Sequence, residues 1–311
     1  MTAIPCVQVF FAQSDHSISE TTAQVLLTDD TGAPLSDIPT SIIDNGSKTE
    51  WIESLHLQDE WKIVPTFTVN YGVRFDKFTA YTSASQASPR VNLVWQALVN
   101  TTVHAGYSRY LTPPPFELVG GRDISLFANT TSPPLTPEAT APLAERANYY
   151  DIGLQQKITH DFTVGIDTYY KQSHNLIDEG QFGAPIILTP FNYLYGKQYG
   201  AEFTANYTTK NLTAYLNFAA QSAKGKDIDS AQFNFAPEDL AYIANNYIHL
   251  DHEQQKTASG GISYLCKTRA SARTSSWAQD YEPTSTYRPA KRPPMAARAS
   301  RTAKVCRTTR S

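Results

Sequence analysis

The stretch TFTVNYGVRF, residues 66–75, alternates without interruption between polar or small side chains and apolar ones. One face of an extended strand would carry the apolar residues Phe67, Val69, Tyr71, Val73 and Phe75. The other face would carry Thr66, Thr68, Asn70, Gly72 and Arg74. Because successive side chains of a strand point to opposite faces of a sheet, this period of two predicts a β-strand with one apolar face.

The same alternation recurs along the chain, whereas helical periodicity is nearly absent. It returns at residues 102–108, 162–166, 199–207, 212–218 and 258–264. Small or aromatic residues on one face and polar residues on the other suit a sheet with lipid outside and a polar lumen inside. The sequence therefore predicts an all-β fold, an antiparallel transmembrane β-barrel, of which about nine strands are recognisable.

The connections separate a barrel from a soluble β-sandwich, which would alternate in the same way. Short connections are predicted at residues 62–65, 98–100, 159–161 and 208–211, and long ones at 76–89, 111–145, 175–192 and 225–253. Short and long connections in turn are typical of outer-membrane barrels. Compact soluble domains rarely contain several loops beyond about 12–15 residues.

The composition fits membrane strands better than membrane helices. The chain contains 18 Tyr, 14 Phe and 4 Trp, and no window approaches the ~20 consecutive apolar residues of a membrane helix. Aromatic residues gather where strands should meet the membrane boundary, among them Trp51, Trp61, Trp95, Tyr149, Tyr150, Tyr169 and Tyr170. Amphipathic rings prefer that level of a bilayer.

No pattern of residues indicates catalysis, so the chain is not expected to be an enzyme. Asp151 and Asp167 stand isolated in separate strands, whereas acid–base catalysis needs convergent groups. Cys6, Cys266 and Cys306 lack the spacing of a zinc site or of a disulfide framework. No metal and no cofactor are therefore expected.

Several segments together resemble the barrel strands of TonB-dependent outer-membrane receptors, over residues 45–265. The segments are DNGSKT (44–49), LQDEW (57–61), NYGVRFD (70–76), SPRVNLVW (88–95), GYSRY (106–110), PPPF (113–116), NYYDIGL (148–154) and YGKQYGAE (195–202). The resemblance implies a barrel of about 22 strands, closed by an N-terminal plug. It also implies uptake of a scarce ligand, such as a siderophore–iron complex or cobalamin, driven by the inner-membrane partner TonB through a short box on the plug.

The chain departs from this family pattern, because it shows about nine strands, no plug domain and no candidate box. Its expected partners are outer-membrane lipid and a small-molecule ligand such as an iron chelate, with TonB a partner only of the intact family member. The expected location is the bacterial outer membrane, and residues 1–19, which contain no Lys or Arg, do not resemble a signal peptide. Transport by this chain alone is not expected.

The two ends differ from the barrel portion. Residues 1–44 are predicted to be an irregular segment with part of an extracellular loop. Residues 266–311 carry eleven Lys or Arg against two acidic residues, which predicts a basic, disordered tail. The tail lacks interleaved aromatic residues, so nucleic acid is not an expected partner.

A frameshift near Cys266 is a sharper hypothesis for this tail. If the third base of each codon begins a new codon, the segment from Trp277 can encode Gly-Ser-Gly-Leu-Arg-Thr-Asp-Leu-Tyr-Leu-Pro, which resembles a strand that runs into a turn-rich loop. The genetic code forces the glycine begun in Trp277, the leucine begun in Asp280 and the glycine begun in Met295. The hypothesis predicts that residues 266–311 form no strand pair of barrel length.

Candidate ligand contacts should lie on the polar face near the outer rim and in the long loops. Strand parity selects Arg74, His104, Ser108 and Tyr110. The alternative is that these four side chains only line a hydrated wall. Two other functions stay open, namely a general porin, which predicts opposed acidic and basic rows that the sequence does not reveal, and a soluble β-rich binding protein.

Overall fold

Long antiparallel strands make up most of the computed structural model, which describes residues 7–115, 121–182, 187–266 and 269–280. The strands are β1 Val7–Val25, β2 Thr40–Val64, β3 Phe67–Thr79, β4 Ser83–Leu98, β5 Thr101–Thr112, β6 Glu145–Lys157, β7 Phe162–Phe182, β8 Ile187–Thr208, β9 Leu212–Ile228, β10 Ile248–His249, β11 Gln254–Cys266 and β12 Arg269–Asp280. The helical elements of these ranges are α1, Pro237–Ile243, and the 3-10 segments Gly121–Phe127 and Gln232–Asn234. Within the same ranges, no helix is long and apolar enough to cross a membrane.

Sequence neighbours pair with one another, so the sheet is an antiparallel meander. Its order runs from β1 to β9 and on through β11 to β12, while β10 pairs with β9. Short connections lie at one end of the sheet, here called the turn end, at residues 65–66, 99–100, 158–161 and 209–211. The other end, the loop end, carries the connections at 26–39, 80–82, 113–144 and 229–253. The predicted all-β barrel portion, made of consecutive hairpins, is confirmed.

The strands are more numerous than the sequence predicts. The nine strands β2–β9 and β11 agree with the number predicted for the barrel portion, and β1, β12 and the two-residue β10 bring the described residues to twelve. The expectation that residues 1–44 are irregular is wrong for residues 7–25 and 40–44, because β1 pairs with β2 from Val7–Gln58 to Val25–Thr40. Residues 26–39 do form a connection at the loop end. Backbone groups carry this pairing, so a strand with weak alternation still joins the ladder.

The prediction for the tail is wrong where the structure describes it. β12 pairs with β11 from Arg269–Cys266 to Gln279–Lys256, a strand pair of barrel length. The open edge of β11 offers backbone donors and acceptors whatever the side chains of the arriving strand, which explains why an atypical sequence pairs there. Residues 281–311 lie outside the described residues.

Two of the predicted long loops are extensions of strands instead. β3 and β4 stay paired through residues 76–89, apart from the tight connection at 80–82. β7 and β8 stay paired far beyond the ~10 residues that cross a membrane, up to Phe182–Ile187. The long loops predicted at 111–145 and 225–253 are present, as connections at 113–144 and 229–253.

Strand parity gives the sheet an apolar face and a polar face. On the apolar face one register row contains four tyrosines on adjacent strands, Tyr107, Tyr150, Tyr170 and Tyr199. Rows nearer the turn end contain exposed aliphatic and aromatic side chains, such as Leu154, Ile166, Phe203 and Phe218. An exposed apolar band bounded by aromatic residues is the pattern of a sheet that faces lipid.

The loop end has its own hydrophobic core. It is built from β1, β7, β8, the end of β9 and the two long connections, with Leu176, Phe191, Phe233 and Ile243 almost fully buried. A Cβ added to Gly196 would lie 2.7 Å from Leu176 Cδ2, and Gly196 pairs with polar-face Ser173. The core therefore lies over the polar face, above the candidate site.

Candidate ligand-facing wall

Arg74 is held in place on the polar face of β3. Its Nε donates to Asp76 Oδ1 at 2.6 Å, and its Nη2 donates to Ser54 Oγ at 3.1 Å. Ser54 in turn donates to the same Asp76 oxygen at 2.5 Å. The guanidinium is about half exposed, with 51% of the side chain accessible, so it keeps donors available to a ligand in the lumen.

Arg90 of β4 is a second cation that the sequence analysis did not select. Its Nη2 contacts the His56 ring and donates to Gln58 Oε1 at 2.5 Å. Gly72 of β3 lies in register between Gln58 and Arg90, so no side chain blocks the arginine from crossing that strand. The sequence contained a sign of this contact, because Gly72 lies on the same face of β3 as Arg74 and leaves space there for a long side chain from the next strand.

His104 meets two carboxylates. Its Nε2 lies 2.9 Å from Asp167 Oδ1 and 3.8 Å from Asp151 Oδ2. The register runs from His104 through Gly153 to Asp167, and a Cβ on Gly153 would overlap both partners. The expectation that Asp151 and Asp167 are isolated is therefore wrong, because antiparallel register brings residues of separate hairpins side by side.

Tyr110 begins an aromatic ladder across the polar face. Its ring lies 6.1 Å from that of Tyr149, edge to face, and Tyr149 stacks on Tyr169 at 6.0 Å. The Tyr169 hydroxyl donates to Gln221 Oε1 at 2.8 Å. This contact passes over Gly200, whose added Cβ would lie 2.9 Å from the Tyr169 ring. Tyrosine faces at this spacing offer a surface on which a planar ligand can stack.

Ser108 connects the arginine and tyrosine groups. It pairs with Arg90 on one side and with Tyr149 on the other. The four selected residues thus share one face, where Ser108 and Tyr110 adjoin the tyrosine ladder while Arg74 and His104 belong to separate networks. The sequence analysis did not select Tyr149 and Tyr169. Alternation within β6 and β7 places both on the polar face, the face that carries Ser108, and would have identified them.

The polar face carries charged side chains of both signs. Arg74 and Arg90 lie on β3 and β4 together with Asp76, whereas Asp151, Asp167 and Glu202 lie on β6–β8 together with Lys171, so both signs of charge occur along the face. Across the part of the chain that the structure describes, no group of three or more His, Cys, Asp or Glu side chains could hold a metal ion. The polar face thus combines charged side chains of both signs with the tyrosine ladder.

One titratable group belongs to the loop end. Asp178 lies on β7 beyond the length needed to cross a membrane, and burial raises the pKa of its carboxyl group to about 6. Asp251 and Glu179 also raise this pKa, while the N–H donated by Glu179 and the charge of His252 oppose the rise. Asp178 is thus a carboxyl group that changes charge in a mildly acidic medium.

Solved structures with the same fold are outer-membrane transporters and receptors. The sheet superposes on the copper transporter OprC with a TM-score of 0.60 at 14% identity, over 88% of this chain and 40% of that one. It superposes on the siderophore receptor PiuA from Acinetobacter baumannii with a TM-score of 0.55 at 13% identity, over 88% of this chain and 43% of that one. For the FrpB iron transporter from Neisseria meningitidis (F3-3 variant) the TM-score is 0.50 and the identity 17%, over 76% of this chain and 34% of that one. The chain spans less than half the length of these three proteins.

Sequence comparison defines the family. No curated protein sequence matches this chain. The family described as TonB dependent receptor-like, beta-barrel matches residues 11–295, which is most of the chain and includes the described residues of β12. The chain belongs to the TonB-dependent receptor β-barrel family, whose members are outer-membrane uptake receptors.

Proposed function

We propose that this chain forms part of the wall of an outer-membrane receptor that takes up a scarce ligand, such as a siderophore–iron complex or cobalamin. The observation that carries the proposal is the tyrosine ladder of Tyr110, Tyr149 and Tyr169 beside Arg90 and Ser108. Stacking surfaces next to guanidinium donors suit an anionic chelate with planar groups.

Arg74, His104, Ser108 and Tyr110 remain the proposed ligand-facing residues. Arg74 and the hydroxyls would donate to oxygens of the ligand. His104 would act through its pairing with Asp167, which fixes the ring. In this proposal the turn end faces the periplasm and the loop end the medium, as in other barrels with short turns and long loops. TonB would supply energy only in the intact receptor.

The ligand class is the finer part of the proposal. The superposed structures include a copper transporter, a siderophore receptor and an iron transporter, so proteins with this fold carry different ligands. Loop conformation and wall chemistry decide among them. The guanidinium groups of Arg74 and Arg90 favour a chelate with negative charge over a free cation. The family match argues against both a general porin and a soluble β-rich protein.

Adjacent tyrosines on opposite faces supply a matched test. Tyr149 and Tyr169 lie on the polar face, while Tyr150 and Tyr170 lie next to them on the apolar face. The full chain, refolded in detergent micelles, is titrated with ferric chelates of different charge, and quenching of tyrosine and tryptophan fluorescence is measured. The double variant Y149A/Y169A should weaken binding by about 10- to 100-fold, on the basis of ~1 kcal/mol per aromatic contact. Equal losses in Y150A/Y170A would refute the proposed wall.

A further inference from the structure

A lysine cluster lies on the apolar face, beyond the tyrosine row towards the loop end. Lys197 of β8 pairs directly with Lys224 of β9, and Lys226 pairs with Tyr195 one step further on. Directly paired residues point to the same face, so the three side chains lie on the face that carries Tyr199 and Phe203. The cluster thus lies on the outside of the wall, away from the proposed ligand site.

The height of the cluster follows from the strand itself. Tyr207 lies just before the turn at 209–211, and Lys197 lies ten residues along β8 from it on the same face. Ten residues of a strand tilted by ~40° rise about 25 Å, which is the height of the apolar band of an outer-membrane barrel. The ammonium groups therefore lie at the outer boundary of that band, where lipid headgroups begin.

In the described residues none of Lys197, Lys224 and Lys226 forms a salt bridge. Tyr247, from the connection after α1, places its ring 4.2 Å from Lys197 Nζ and 6.0 Å from Lys226 Nζ, and so gathers two of the cations. Glu253 is committed elsewhere, because its carboxylate contacts His249 and accepts the N–H of Ala223 at 2.6 Å.

Three clustered ammonium groups repel one another unless an anion joins them. The surface that continues from the cluster towards the turn end is apolar, with Tyr199, Phe203 and Phe218 all exposed. A molecule that matches both parts has a negatively charged head and hydrocarbon chains. We infer that Lys197, Lys224 and Lys226, with the ring of Tyr247, bind the phosphate group of a phosphorylated outer-leaflet lipid.

The test uses the full chain in micelles of an uncharged detergent. Diphosphorylated lipid A is added, and the retained lipid is measured by native mass spectrometry across a concentration series. The wild type should retain the lipid. The variant K197Q/K224Q/K226Q should bind it about 100-fold more weakly, since each basic residue near an anionic surface strengthens binding by about fivefold. Removal of both phosphates from the lipid should abolish binding to the wild type.

The matched control removes the same charge from the turn end, in K62Q/K157Q/K210Q, and should bind like the wild type. A second variant, Y247A, keeps all charges and should weaken binding by several-fold, because the ring no longer gathers two ammonium groups. Far-UV circular dichroism checks that each variant retains its strands.

Equal loss in the control, or unchanged binding in the lysine variant, would overturn the inference. So would competition by inorganic phosphate at the concentration of the lipid, which would indicate a site for free anions. The experiment measures no chelate binding, so its outcome is independent of the proposed uptake function.

Discussion

The side-chain amide of Asn192 and the backbone of Leu143 form two hydrogen bonds with each other. Leu143 N–H donates to Asn192 Oδ1 at 2.8 Å, and Asn192 Nδ2 donates to Leu143 O at 3.1 Å. The same Nδ2 also donates to Asn175 O, and Ser230 Oγ donates to Asn192 Oδ1. One fully buried amide therefore joins β8 to β7 and to both long connections of the loop end.

The variant N192A should loosen the loop end. Loss of the amide removes both hydrogen bonds to Leu143 and leaves the carbonyl of buried Asn175 without this partner, at ~1–3 kcal/mol for an unsatisfied buried group. Amide hydrogen exchange should accelerate across residues 113–144 and 229–236, while β3 and β4 stay protected. Exposed Asn245 supplies the control variant N245A, which should behave as wild type. Unchanged exchange in N192A would show that the apolar core alone holds the loops.

The variant G153A should break the contact between His104 and Asp167. The new methyl group would overlap both side chains, which must separate or shift the strand, and overpacking of this kind costs about 1–3 kcal/mol. Thermal unfolding in micelles measures the loss. The double variant H104A/G153A should recover part of it, because one overlapping partner is gone. Additive losses in this cycle would contradict the steric explanation.

Asp178 predicts a pH dependence of the loop end. Its folded pKa of about 6 lies above the unfolded value of 3.8, so the folded state binds the proton more tightly. The stabilising contribution of this proton is complete below pH ~3.8 and is lost as the pH rises through about 6. The variant D178N should therefore be more stable than wild type at pH 7.5 and similar to it at pH 4. Proteolysis midpoints at the two pH values measure the difference in stability, and D37N, at an exposed position, is the control. An equal effect of D178N at both pH values would contradict the raised pKa of Asp178.

We predict that residues 1–311 alone do not transport. The sheet of the described residues ends at β1 and β12, and each of these strands pairs on one side only within those residues. An unpaired backbone group in hydrocarbon costs several kcal/mol, so a sheet with two open edges is not expected to enclose a transport path across a bilayer. The chain is expressed in a strain without its own receptor, and uptake of a labelled iron chelate is measured. Energy-dependent accumulation would prove this prediction wrong.

The frameshift hypothesis remains a prediction about the coding DNA. The paired strand β12 and the family match to residue 295 count against a tail without structure, but they do not test the reading frame. The DNA should contain, in the shifted frame, an open segment across the codons of residues 277–297 that encodes a strand and a turn-rich loop. A stop codon within that segment would refute the hypothesis.

The sequence by itself determined the strand faces and the order of the hairpins. A period of two is set by backbone geometry alone, so residues 66–75 indicate a strand with one apolar face without any knowledge of their neighbours. The same parity placed Arg74, His104, Ser108 and Tyr110 on one face. It failed for β1 and β12, because pairing there depends on backbone groups at an available edge and not on side chains that alternate.

Only the tertiary structure decided which polar residues meet. His104 reaches Asp167 because the register puts Gly153 between them, and Tyr169 reaches Gln221 over Gly200. Register is a property of strand pairs, and local sequence does not specify it. The core around Asn192 likewise joins segments from distant parts of the chain. Burial of apolar surface stabilises these contacts, and no local sequence pattern specifies them.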